Sequence, residues 1–179
     1  MKVFYPLTKA WWEQIGEWMA DDEIREPVLG DTPIEEILAA IKRDTVKVAG
    51  LFDEGTGEVR GVFVLTEYFD PQICDLALYC PKGLRQSLPE IRQFAVEQGF
   101  TQMNFRTRVD RTEGWDKRSV GHYEKVLQRM GFEMSAIMGS PRGWYIVGLE
   151  RLHVNDETRG IARDRESVVS ADGSRESAG

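Results

Sequence analysis

The chain has no apolar run approaching the roughly 18 residues that a membrane span requires, and it has only two cysteines and two histidines. Each shortage excludes something. Without a long apolar run there is no spanning helix, and the start of the chain does not read as a secretory leader. Met1–Leu7 is strand-like, and Trp11, Trp12 and Trp18 are interleaved with Glu13 and Glu17. The expectation is a soluble protein that works in the cytoplasm. Cys74 and Cys80 fall at the two ends of one expected strand, where they cannot bridge each other, so both are read as reduced thiols. Two histidines and two cysteines with no ligand spacing offer no metal site, and no Ser-His-Asp or Walker-type signature is present.

Positive charge is also in short supply. Against 30 Asp and Glu there are 23 Lys and Arg, a net charge of −7, which excludes general attraction to nucleic acid. The local exception is Arg106, Arg108, Arg111, Lys117 and Arg118, interrupted by Asp110, Glu113 and Asp116. Such a mixture reads as a solvated loop.

What the chain does have is enough apolar residue, 41% of 179, for one domain of about 150 residues. Residues 1–150 carry periodic patterns and residues 151–179 do not. That tail mixes charges of both signs and ends rich in Ser, Gly and Ala, so it cannot bury enough surface to order itself. It is read as a docking segment for a protein partner, with Ile161, Val168 and Val169 as its anchors.

Val3–Leu7 reads as a strand. Thr8 caps a helix to about Ala20, with Trp11, Ile15, Trp18 and Met19 on one stripe and Trp12 off it. Thr32-Pro33-Ile34-Glu35 opens a second helix by a capping box, with Ile34, Ile37, Leu38 and Ile41 as its inner face. Three strands follow as a meander, Val46–Phe52, Val59–Tyr68 and Ile73–Cys80, joined by the glycine-containing loop 53–58 and the turn Asp70-Pro71-Gln72. Ser87-Leu88-Pro89-Glu90 reads as a capping box opening a helix over Leu88–Gln98 that stops at Gly99, before a strand Gln102–Arg108. Helix then strand implies a crossover and so a locally parallel pair. Glu133–Met138 and Trp144–Leu149 are the last strands.

Before these two strands and after Gln102–Arg108 lies Gly121–Phe132, a short amphipathic helix with Tyr123, Val126, Leu127 and Met130 on one face, stopped by Gly131 with Phe132 folding back. That corner, and the order of elements around it, resembles the closing segment of the GNAT superfamily of acyl-CoA N-acyltransferases. The resemblance covers residues 1–150 in element order and one motif, Gly131-Phe132. It implies an α+β fold in which a mixed central sheet, an antiparallel meander plus a parallel pair, is flanked by helices.

The resemblance also says where chemistry would sit. In the family the loop after the strand Ile73–Cys80 holds the pyrophosphate of coenzyme A on backbone amides and the start of the next helix. Here that loop is Pro81–Ser87, with Lys82, Gly83, Leu84 and Arg85 as the candidate binding residues. It has one glycine where the family has two, and the capping box places Glu90 where the phosphates would go, so no cofactor is expected unless the chain is an enzyme using acetyl-CoA. The family's acid is a tyrosine four residues before the Gly-Phe corner. Leu127 stands there, and Tyr123 lies one turn earlier. Candidate proton acceptors are Glu67, Asp75 and His122. These departures, with the polar tail, give the chain a looser resemblance to GNAT-like virion proteins of short-tailed bacteriophages. The leading expectation is therefore a non-catalytic virion or assembly component, located in the host cytoplasm or incorporated into a virion. The alternative is an acetyl-CoA-dependent N-acetyltransferase acting on a small amine or a protein amino group.

Overall fold

In the strand Val59–Glu67 the four successive residues Val62, Phe63, Val64 and Leu65 are all buried. Successive side chains point to opposite faces, so such a strand must be covered on both. The computed structural model, which describes residues 1–29, 32–80, 83–109, 117–140 and 143–153, supplies that cover. Its elements run β1 (Lys2–Phe4), α1 (Lys9–Met19), α2 (Asp22–Leu29), α3 (Ile34–Lys42), β2 (Val46–Phe52), β3 (Val59–Glu67), β4 (Ile73–Tyr79), α4 (Leu84–Glu97), β5 (Gln102–Val109), α5 (Lys117–Met130), β6 (Glu133–Ser140) and β7 (Gly143–Arg151). The strands form one sheet in the order β1-β2-β3-β4-β5-β7-β6. Every neighbouring pair is antiparallel except β4 with β5, which is parallel. This is the expected mixed α+β sheet.

The two faces have separate cores. Phe63, Leu65, Cys74, Leu76 and Met103 pack with Leu88, Ile91 and Ala95 of α4 and Leu127 of α5. Val46, Val48, Val62 and Val64 pack with Ile15 of α1 and Val28 of α2. Both cysteines are free, Cys74 buried and Cys80 partly so. Among the described residues no helix is long and apolar enough to cross a membrane.

Two helices end in the same way. At α5, Gly131 has φ +92°, its N–H bonds Gln128 O at 3.0 Å and the Phe132 N–H bonds Leu127 O at 2.9 Å. At α4, Gly99 has φ +94°, with Gly99 N–H to Val96 O at 2.9 Å and Phe100 N–H to Ala95 O at 3.0 Å. Each satisfies the last carbonyls through a left-handed glycine and turns a phenylalanine into the core, Phe132 and Phe100 both being buried.

Several elements differ from the sequence expectation. An additional helix, α2, spans 22–29, where Pro27 and four charged residues among the first five positions hide any apolar period. The first helix of the α3 region starts at Ile34 with Pro33 just outside it and no side-chain cap, so the expected capping box does not close. Leu38 is exposed, and so is Val126, which lies at the edge of a stripe made by Tyr123, Leu127 and Met130. Leu127 and Met130 are core residues as expected. β1 is shorter than expected, and β7 runs to Arg151 with Leu152 buried behind it. The expected docking anchors Ile161, Val168 and Val169 lie outside the described residues.

Candidate acyl-transfer site

β4 and β5 are paired over only four positions, from Ile73 opposite Gln102 to Leu76 opposite Phe105. Beyond them β4 continues to Tyr79 along β3, and β5 continues to Val109 along β7. Each strand follows its antiparallel neighbour, so the sheet opens between Ala77 and Arg106. Gly61 permits this. A Cβ there would stand 2.6 Å from the Tyr79 carbonyl oxygen and 3.2 Å from Cys80 Cβ, so only glycine lets the end of β4 close in on β3, the side away from β5.

Helix α4 begins at the open end of β4, and it begins earlier than expected. Its first residue is Leu84, one turn before Ser87. The Ser87 hydroxyl is buried within the helix and donates to Gly83 O at 3.0 Å, so it caps nothing. Glu90 accordingly lies in the second turn, away from the helix start. Its carboxylate therefore does not occupy the phosphate position, contrary to the expectation from the sequence. At the true start, Gly83 is left-handed with φ +85°, no side chain caps the helix and no acidic residue lies in its first turn. Gly83 O takes the amides of Gln86 and Ser87. The amides of Leu84 and Arg85 precede any carbonyl that the helix could offer, and the macrodipole and the exposed Arg85 add positive potential. Gly83, Leu84 and Arg85 thus lie together at the opening; Lys82 lies outside the described residues.

Tyr123 is carried by α5, which packs on the β7 side of β5. β5 and β6 both run antiparallel to β7, so α5, which connects them, returns antiparallel to β5. Its Leu127 sits against Gly148, which pairs with Phe105, the last residue of the parallel pair. Tyr123 is one turn nearer the start of α5, about 6 Å further along the axis in the direction in which β4 and β5 part. The displacement from the family's expected position therefore carries the phenol toward the opening. Its ring is partly buried against the α4–α5 core and touches the exposed His122 edge-on, at 5.8 Å between centroids.

On the opposite face a polar cluster lies across the β4–β5 seam. Asn104 Nδ2 donates to Asp75 Oδ1 at 3.1 Å, Gln102 Nε2 donates to Asn104 Oδ1 at 3.1 Å, and Arg106 forms an ion pair with Asp75. The Arg106 guanidinium lies 5.9 Å from the centre of the Tyr68 ring. Alternation puts these groups on the α1–α2 side, because Cys74, Met103 and Phe105 between them face α4 and α5. Sequence reasoning singled out Asp75 but missed its partners. The signal was the polar positions 102, 104 and 106 interleaved with Met103 and Phe105. The remaining candidates lie elsewhere: Glu67 pairs with Cys74, about 16 Å along β4 from Tyr79 and at the closed end of the seam. His122 faces solvent. Cys74, under α4, has its thiol pushed up to about 12, first by burial and then by the charge of Asp75, so it stays protonated and is no nucleophile near neutrality.

This architecture, a seven-stranded sheet opened at a parallel β4–β5 pair with a helix starting in the opening, is the GNAT fold. No family model matches the sequence, and no curated protein matches it. Similar solved structures include acetyltransferases. An aminoglycoside 6'-N-acetyltransferase complexed with coenzyme A superposes with a TM-score of 0.62 at 12% identity, over 87% of this chain and 99% of that one. Spermidine N-acetyltransferase from Vibrio cholerae, in complex with coenzyme A and spermine, gives 0.61 at 10% identity, over 84% and 96%. A probable acetyltransferase from Staphylococcus epidermidis gives 0.60 at 14%, over 85% and 99%. At such identities the likeness is one of fold.

Proposed function

We propose that the chain is an acetyl-CoA-dependent N-acetyltransferase acting on a small amine or a protein amino group. The observation that carries this reading is the uncapped start of α4 standing at the open end of the β4–β5 seam, with a tyrosine one helical turn from Leu127 on the other side. Coenzyme A, when bound, supplies the acyl thioester. The amides of Leu84 and Arg85 and the Arg85 guanidinium fit its pyrophosphate, since unpaired amides at a helix start favour an anion. The seam gives the acyl group a passage between the two faces of the sheet. An amine arriving from the α1–α2 face meets Asp75, held in place by Asn104 and Arg106; its nitrogen attacks the carbonyl carbon and gives up a proton to the Asp75 carboxylate as the C–N bond forms. As the C–S bond breaks, the Tyr123 hydroxyl donates a proton to the departing sulfur. Glu67 and His122 have no part in this arrangement.

The non-catalytic virion reading rested on the single glycine of the loop, the capping box at Ser87, Leu127 at the tyrosine position and the polar tail. The start of α4 at Leu84 removes the capping box, the single glycine and Leu127 stand, and the tail lies outside the described residues. The test is to incubate the full chain with acetyl-CoA and a panel of polyamines, aminoglycosides and peptide amino termini while following free thiol. Amine-dependent thiol release supports the proposal. Release no faster than without amine, across the panel, contradicts it.

A further inference from the structure

Between α1, α2 and α3 and the sheet there is a pocket of about 150 Å³ that the acyl-transfer proposal does not use. Its floor is the buried Val48, Val62 and Val64, and its wall includes the buried Val28. Among the described residues, every lining residue apart from Gly16 is apolar in its side chain. Of its lining, Trp12 and Leu38 are exposed, at 37% and 48%.

The glycine at the rim is the second observation. Gly16 stands in the middle of α1, where glycine costs helix stability relative to alanine. Its φ is not positive, so the backbone does not require it. No neighbour requires it either, because a Cβ at Gly16 would meet nothing within 4 Å. Trp12 and Gly16 are four residues apart and so share one face of the helix. A side chain at 16 would stand in the entrance beside Trp12. The feature that this glycine preserves is the open pocket.

We infer that this pocket is a binding site for a small, neutral, apolar molecule, of the size of one substituted aromatic ring. An apolar cavity of roughly this volume admits a benzene-sized guest. The walls gain the contacts they otherwise lack. A charged guest is disfavoured, because none of the described lining side chains carries a charge. The floor strand β3 lies next to β4, with Val64 opposite Ala77, so the site is distinct from the Asp75 cluster but on the same face of the sheet.

The experiment uses the full chain with toluene as the neutral probe and benzylammonium as its charged counterpart. Toluene near its solubility limit should raise Tm by a few degrees and shift the methyl NMR signals of Val28, Val48, Val62 and Val64. Benzylammonium should do neither. Gly16→Leu should fold with an equal or higher Tm and lose the response to toluene, and Gly16→Ala should weaken it should the larger side chain disturb folding. Absence of any toluene response in the unaltered chain would overturn the inference. So would an equal response to benzylammonium, or a response that both Gly16 variants keep at full size. None of these readouts depends on acetyl-CoA, so the inference fails or stands apart from the proposed catalysis.

Discussion

Leu127 of α5 closes directly over Gly148 of β7: a Cβ at Gly148 would lie 2.9 Å from Leu127 Cδ2 and 2.9 Å from Phe132 Cβ. The contact couples the helix–glycine–phenylalanine corner to the centre of the sheet, since Gly148 pairs with both Phe105 and Met134. Gly148→Ala must therefore push α5 outward. We expect a loss of about 1–3 kcal/mol, as for overpacking in a filled core. Denaturant titration checks it, and a variant as stable as the parent would mean that α5 does not press on β7.

Arg92 ties α4 to the same corner. Its Nε donates to Glu150 Oε1 at 2.7 Å, its Nη2 donates to the Met130 carbonyl at the end of α5, and the guanidinium lies 5.9 Å from the centre of the Phe132 ring. Both partners of the ion pair are largely buried, at 25% and 17% side-chain exposure. Removing the arginine strands a carboxylate and a helix-end carbonyl together. Arg92→Met should cost about 1–3 kcal/mol. Arg92→Lys should recover little of it, because an ammonium cannot serve both acceptors and the ring with one planar fork. Full recovery by lysine in thermal unfolding would show that charge alone suffices.

Much of this fold could be read from the residues, for identifiable reasons. The meander and the crossover were legible because β2, β3 and β4 carry apolar runs bounded by Gly, Asp and Pro turns, and because a glycine closes the end of both α4 and α5. The site was less legible. Ser87-Leu88-Pro89-Glu90 satisfies every local rule for a helix start, yet tertiary packing buries Ser87 and extends the helix back to Gly83. Pro89 is accommodated in the helix. Asp75 becomes meaningful only when β5 lies beside β4 and brings Asn104 and Arg106 to it, a pairing between residues about thirty positions apart that no local pattern encodes.

Cys74 gives a pH signature. Its thiol is raised from 9.0 to about 12 in the folded chain. A folded pKa above the unfolded one means that the native state holds its proton where the unfolded state has lost it. Its contribution to stability is thus intact below about pH 9 and declines as pH rises toward about 12. The difference in stability between the parent and Cys74→Ala should shrink over that interval. A difference constant from pH 8 to the highest pH at which the chain folds would contradict the burial of the thiol.

For catalysis the phenol of Tyr123 is the discriminating group. Tyr123→Phe keeps the ring that packs on the α4–α5 core and removes only the proton donor. We expect kcat to fall by about 10²-fold or more with little change in stability. Unchanged turnover in the phenylalanine variant would leave the departing thiolate without the proposed acid.

The central claim is that the open seam and the uncapped start of α4 form a coenzyme A site, and thermal unfolding in the presence of acetyl-CoA tests it most directly. A ligand that binds only the folded chain stabilises it by about 2.7 kcal/mol at a hundred times its Kd, or several degrees in Tm for a domain of this size. We predict such a rise in the parent at millimolar acetyl-CoA, and a much smaller one in Arg85→Glu, which places an acid beside the first amides of α4. A parent Tm unmoved by millimolar acetyl-CoA would contradict the account.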